Sequence, residues 1–155
     1  MTTRPIVDAG PALNFFASGH ERLFFTCLGG VSVPETVRDE VLGKAARDRR
    51  FRHTQRVVSK LPEQLWHVLP DSVTSDLDQV IVRLERLRHS DSSVGALKIM
   101  STEQVLEAAV SRGLMENRGS MRKIYTQLRS LDDGLPPIES TGLLTRELWR
   151  RSPPA

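Results

Sequence analysis

The sequence predicts an α/β domain built on a mainly parallel sheet, and two observations carry that prediction. Short apolar runs of strand length, at Ile6-Val7, "VSVP", "QLWHVLP" and "ALKIMS", alternate with longer stretches whose apolar residues recur at helical spacing. Strand followed by helix, repeated, is the order of parallel strands joined by crossover helices. At 155 residues, 39% of them hydrophobic and 26% charged, the chain has the length and composition of one domain with its own core. Residues 1–150 are assigned to that single domain, and residues 151–155, "RSPPA", to a frayed tail.

Taken in order, Ile6-Val7 reads as a buried strand that ends at Asp8 and is broken by Gly10-Pro11. "PALNFFASG" and "ERLFFTCL" read as two short helical pieces around Gly19, and Gly29-Gly30 stops the second. "VSVP" is the next strand. In "ETVRDEVLGKAARDRR" the apolar residues Val37, Val41, Leu42 and Ala45 keep helical spacing, and Thr36 with Asp39 resembles a capping pair. "QLWHVLP" is a third strand closed by Pro70, and Trp66 and Trp149 are expected to pack. Leu77, Val80, Ile81, Leu84 and Leu87 form one stripe of a further helix. "ALKIMS" is a strand, Ser101 and Gln104 have the form of a capping box, and Gly113 ends the following helix in an αL turn. Met121, Ile124, Tyr125, Leu128 and Leu131 mark the last amphipathic face, followed by a tail punctuated by Gly and Pro.

Composition narrows the function classes. A formal net charge of +3 and a pI near 9.5 permit an anionic partner without requiring one. Only four of the cations are Lys (Lys44, Lys60, Lys98, Lys123); the rest are Arg, which suits phosphate but is also a common compositional bias. Cys27 is the only cysteine, so an internal disulfide and a Cys-rich zinc site are excluded, and its apolar neighbours suit a small buried side chain. No run approaches the ~18 apolar residues of a membrane span and the start lacks a secretory pattern, so a cytoplasmic setting without membrane contact is expected. There is no Walker A loop and no G-x-G-x-x-G, and His20, His53, His67 and His89 lack the spacing of a helical metal pair. Gly10 occupies the second acid position of the Asp-x-Asp motif that a haloacid-dehalogenase-like phosphatase needs.

The chemistry-bearing candidates are acids. Ligands of parallel α/β sheets bind beyond the carboxyl ends of the strands, which is where Asp8 falls. Glu40, early in the helix after "VSVP", can reach the same end. Two carboxylates converging there would need a cation, and Mg²⁺ or Mn²⁺ fits their hard oxygens. The same residues also suit plainer roles: a strand-end Asp is a common turn or helix cap, and an acid early in a helix complements its dipole.

"IVDAGPALNFF" followed by "VSVPETVRDEVLGKA" resembles the PIN-domain family, specifically VapC-like toxin ribonucleases. In that family an apolar strand ends in the first metal-binding Asp and a V-P-x-x-V-x-x-E pattern brings the second acid. Those features match Asp8 and, through Val33, Pro34 and Val37, Glu40. "IMSTEQVLEAAVSRGL" and "TGLL" look like the closing elements. The resemblance implies a three-layer fold with a central, mainly parallel sheet. It implies a Mg²⁺- or Mn²⁺-dependent endoribonuclease of a type II toxin–antitoxin module, with RNA as substrate, an antitoxin as partner and a homodimer as assembly.

The chain departs from the pattern. The third acid near a G-E-x-x-x-x-A helix and the Asp closing the next strand are not recognisable. Only "RHSDSSVG" separates the Leu77–Leu87 stripe from "ALKIMS", too little for a helix plus a strand. The domain reads as shortened, with Asp91 the one candidate to replace a missing acid and Asp132-Asp133 assigned to a turn. Asp8, Glu40 and Asp91 are therefore the catalytic candidates, with Asp8 and Glu40 as metal ligands, on a scaffold of impaired activity. The basic run "KAARDRRFRHTQR" offers Arg47, Arg49, Arg50 and Arg52 as an RNA-contacting strip, or simply as the solvated end of a helix. The rival class is a non-catalytic protein that binds RNA, an antitoxin or itself.

Overall fold

The computed structural model describes residues 4–70 and 99–150. The Leu77–Leu87 stripe, Asp91, His89 and the 151–155 tail lie outside the described residues. The described chain is mixed α/β and mostly helical. Four short strands, β1 (Ile6–Val7), β2 (Val31–Pro34), β3 (Trp66–Leu69) and β4 (Ile99–Met100), form one sheet in the order β3-β2-β1-β4, every pair parallel. The helices are α1 (Ala9–Ala17), α2 (Glu21–Leu28), α3 (Glu35–Arg47), α4 (Arg52–Lys60), α5 (Thr102–Ser111), α6 (Arg118–Leu131) and α7 (Arg146–Arg150). No described helix is long and apolar enough to cross a membrane.

α1 is the central helix. Every residue from Pro11 to Phe16 is buried, the all-round burial of a helix that neighbours surround rather than one lying on a surface. It packs against α3 and α4 on one side and α6 on another. Phe16 fills the space between α1, α2 and the sheet, with ring centroids 5.3 Å from Phe24, 5.7 Å from Phe25 and 5.5 Å from Trp66. A close backbone approach holds β2 beside the turn before β3. A Cβ at Gly30 would collide with the Gln64 carbonyl, so only glycine fits there.

Several local expectations are met. Ser101 Oγ accepts from the Gln104 amide at 3.2 Å while the Ser101 amide donates to Gln104 Oε1 at 3.0 Å, closing the capping box of α5. Gly113 takes φ +70° after that helix. On α6 the predicted face holds, with Met121, Tyr125 and Leu128 buried. Trp66 is buried, and Trp149 Nε1 donates to the Leu143 carbonyl at 2.8 Å, tying the last turn down.

Two expectations are corrected. The Thr36–Asp39 pair does not cap α3: Pro34 stands at the cap position with no side-chain hydrogen bond, and Asp39 is drawn to Arg38 at 2.8 Å instead. Pro34 already sets the φ from which a helix starts and has no N–H to satisfy, so the helix begins two residues earlier, at Glu35. The basic run is not one helix end. The backbone turns extended at Asp48 (φ −115°, ψ 118°), passes through a 3₁₀ turn at Arg49–Phe51, and starts α4 with Phe51, Thr54 and Val57 facing inward.

Candidate functional site

β1 and β4 are adjacent and parallel, with Val7 opposite Met100. The residues that follow each strand, Asp8 and Ser101, therefore start their helices at the same edge of the sheet. Both are N-caps: Asp8 Oδ1 accepts from the Ala9 amide at 2.8 Å, and Ser101 closes its box. Two helix N-termini thus open on one side, each carrying partial positive charge and amides that favour an anion. Between them lies a cavity of about 430 Å³. Its walls include Asp8, Pro11, Glu103, Gln104, Asp132 and Leu135.

Beneath this cavity a buried amide links three elements. Asn14 is 2% exposed on α1. Its Nδ2 donates to Thr102 Oγ1 in the first turn of α5 at 3.3 Å and to Asp132 Oδ2, at the C-terminal cap of α6, at 2.9 Å. Asp132 Oδ1 also accepts from the Gly134 amide at 3.0 Å. Asp132 is the turn residue the sequence suggests, and it is a wall of the cleft as well. The available signal was Asn14 itself, the one polar side chain inside the apolar stretch "PALNFF". A buried amide requires partners, and the pattern alone could not say where they come from.

The predicted acids are placed differently from one another. Asp8 lies in the cleft, exposed, with one oxygen held by the Ala9 amide. Glu40 is exposed on α3 and is not among the described residues that line this cleft. Asp91 lies outside the described residues. Glu103 and Asp132, neither singled out as a ligand from the sequence, share the walls with Asp8. Among the described residues, no three His, Cys, Asp or Glu side chains converge as a cluster able to hold a metal ion.

The arginine strip is partly committed to structure. Asp48 accepts from the Arg50 amide at 3.0 Å and takes the Arg50 guanidinium on both oxygens, the shortest contact being 2.8 Å. Those hydrogen bonds hold the Asp48 carboxyl below the usual carboxylate range and the Arg50 guanidinium above its own. Arg50 and Lys44 also lie over the Phe51 ring, 5.4 Å and 5.2 Å from its centroid. Arg47 donates back to the Gly43 carbonyl at 3.2 Å. Arg49 and Arg52 are exposed and carry no side-chain partner among the described residues. Asp133 is near enough for its charge to favour charged Arg50, which brings the strip toward the loop that carries Asp132.

A second cavity, about 380 Å³ and lined by Arg4, Glu63, Gln64 and His67, lies where β1 and β3 begin and holds none of the predicted residues. Comparison with family models, with curated proteins and with solved structures gives no match for this chain. The functional reading rests on the geometry of its own cleft.

Proposed function

We propose that the chain is a PIN-like, metal-dependent endoribonuclease of the type II toxin class, of impaired activity and acting in the cytoplasm. The observation that carries this reading is the place of Asp8: a carboxylate at the carboxyl edge of a parallel sheet, in a cleft opened by two helix N-termini. The donor chemistry suits Mg²⁺ or Mn²⁺, because the cleft offers carboxylate oxygens and such ions are commonly held by one or two carboxylates together with water and substrate phosphate. When bound, the ion would supply an activated water and stabilise charge on the phosphodiester.

The protein's own groups account for binding and orientation. Asp8 Oδ1 is fixed by the Ala9 amide, leaving Oδ2 without a partner among the described residues. The first turns of α1 and α5 favour a phosphate beside it. Arg49 and Arg52 are free to neutralise flanking phosphates of an RNA strand. Activity is low because Glu40 stands outside this cleft and no third ligand completes a cluster among the described residues, so water alignment is poor.

Cleavage of a mixed RNA pool with Mg²⁺ or Mn²⁺, with Asp8→Asn in parallel, tests the proposal. Asn caps a helix as well as Asp does, so the variant keeps α1 and removes only the charge. Slow, metal-requiring cleavage that vanishes in Asp8→Asn is expected. Cleavage indifferent to metal or to that substitution would overturn the reading. That no three-ligand cluster forms among the described residues favours a second reading, a catalytically inactive PIN-like protein that binds RNA, an antitoxin or a second copy of itself. RNA retained by the folded chain without any cleavage would select it.

A further inference from the structure

We infer that the outer face of α4 is where RNA docks: Arg52, Arg56 and Lys60 form one stripe that takes neighbouring phosphates of a single strand. This rests on RNA as the partner named above, and not on the metal chemistry of the cleft. α4 is sharply divided. Thr54 and Val57 are buried and Val58 is half-buried, while Arg52, His53, Gln55, Arg56, Ser59 and Lys60 are exposed. The stripe residues recur four apart, so their backbone positions stand about 6 Å from one another along the axis. That interval is close to the separation of neighbouring phosphates on an extended strand.

The face is built against the interest of its own helix. From Arg49 to Pro62 the chain holds Arg49, Arg50, Arg52, His53, Arg56 and Lys60 and no acid. Arg56 has a like charge four residues away on both sides, an arrangement that weakens a helix. Arg52 stands in the first turn, where the dipole disfavours a cation and no acid offsets it. The nearest acid before it, Asp48, is held by Arg50. Arg52, Arg56 and Lys60 carry no side-chain partner among the described residues. A bound polyanion relieves all of these repulsions together and releases the counterions of the strand.

The composition of the face selects RNA over a protein or a membrane. A protein partner is anchored by apolar and aromatic side chains at the centre of its interface, and a membrane-bound helix turns its apolar side to the lipid. The apolar side of α4 is buried in the core. Among the described residues the large hydrophobic side chain that is exposed is Leu114, after α5 and not on α4. With no exposed Phe, Tyr or Trp on α4 to stack a base, the contact is with the backbone and indifferent to sequence.

Fluorescence anisotropy of short uridine and mixed-sequence RNA strands over a salt series reads affinity in the full chain, with EDTA present to prevent cleavage. Thermal melting reads the fold. The two strands should bind the wild type alike. Arg56→Glu sets an acid between Arg52 and Lys60 and turns two repulsions into attractions. It should melt above the wild type. It should also bind RNA about fivefold or more weakly at about 0.1 M salt, with a salt slope smaller by about 0.7, the counterion share of one phosphate contact. An arginine with only a structural role would not move the two readouts in opposite directions. Arg146→Glu makes the same charge change at an exposed position on α7 and should bind RNA close to the wild type.

Wild-type affinity in Arg56→Glu, or a loss no larger than that of Arg146→Glu, overturns the inference while the nuclease reading stands on its own cleavage assay. Affinity lost in Arg56→Glu from a chain that never cleaves supports the docking face and overturns the nuclease reading. Wild-type protein that binds phosphatidylserine vesicles or polyglutamate but no RNA overturns both.

Discussion

Replacing Thr54 with Val should make the protein more stable. Thr54 is 0% exposed on the inner face of α4, and its hydroxyl has no hydrogen-bond partner. A helical Thr ordinarily donates to the carbonyl one turn back, but no such bond forms from Thr54 to Arg50. An unsatisfied buried hydroxyl costs about 1–3 kcal/mol of desolvation. Val keeps the β-branched shape, and its helix propensity is close to that of Thr. Removing the unpaired hydroxyl should therefore recover about 1 kcal/mol or more, the lower end of that range. For a chain of this length, 1 kcal/mol corresponds to roughly 2–4 °C in melting temperature. Calorimetry and urea denaturation of Thr54→Val against wild type measure the effect, with the urea slope expected to stay constant. A lower melting temperature would refute the argument, because it would show that the hydroxyl is bonded in the native state. RNA affinity should not change, since Thr54 faces away from the arginine strip.

Three further outcomes follow from the same geometry. Arg49→Glu with Arg52→Glu should weaken RNA binding and lower its salt slope by roughly 0.7 per lost single-strand phosphate contact, whereas Arg50→Glu should act mainly by disrupting the Asp48 turn; equal salt slopes for all would refute the division. Asp48 is held low chiefly by its hydrogen bonds to Arg50, and Glu139 by a backbone amide and Arg122. Depressed carboxyls stabilise the fold above their ordinary values of 3.8 and 4.5 and stop doing so as pH falls through the lower folded values. As far as these two carboxyls act, melting temperature should be flat from about pH 5 to neutral pH and decline in that acidic window. Burial pushes the Cys27 thiol up to about 11, with Arg112 opposing it. A raised thiol value supports the folded state below the unfolded thiol range and is lost as pH rises through about 11. Disulfide-exchange labelling at pH 8 should accordingly be slow until denaturant opens the core.

Much of the fold was readable because the relevant physics is local. Short apolar runs of strand length marked the strands, the Ser101–Gln104 spacing marked a cap, and the i, i+3, i+4 recurrence of Met121, Tyr125 and Leu128 marked a buried face. The break at Asp48 was not readable. A basic run continues a helix by composition, and only the packing of Phe51, Thr54 and Val57 beneath α1 makes a second helix preferable. The α3 start was misread for a related reason. Thr36 and Asp39 had capping spacing, but the strand delivered Pro34 to the cap position first.

The candidate site divides along the same line. Sequence by itself determined that Asp8 ends a strand ahead of a short helix, because an apolar run meeting an acid, Gly and Pro has few other local solutions, while the start of that helix at Ala9 rather than Pro11 was decided by the fold. It also determined that Arg49 and Arg52 are solvated, since unpaired guanidinium groups are costly to bury. Which acid shares a cavity with Asp8 was a tertiary decision. Asp132 is 124 residues further along the chain, and neither periodicity nor spacing relates the two. Their meeting depends on β4 pairing beside β1, on α6 returning its C-terminus to that edge, and on one buried amide finding its partners there. A buried polar group must be satisfied, but only the folded arrangement of three helices chooses what satisfies it.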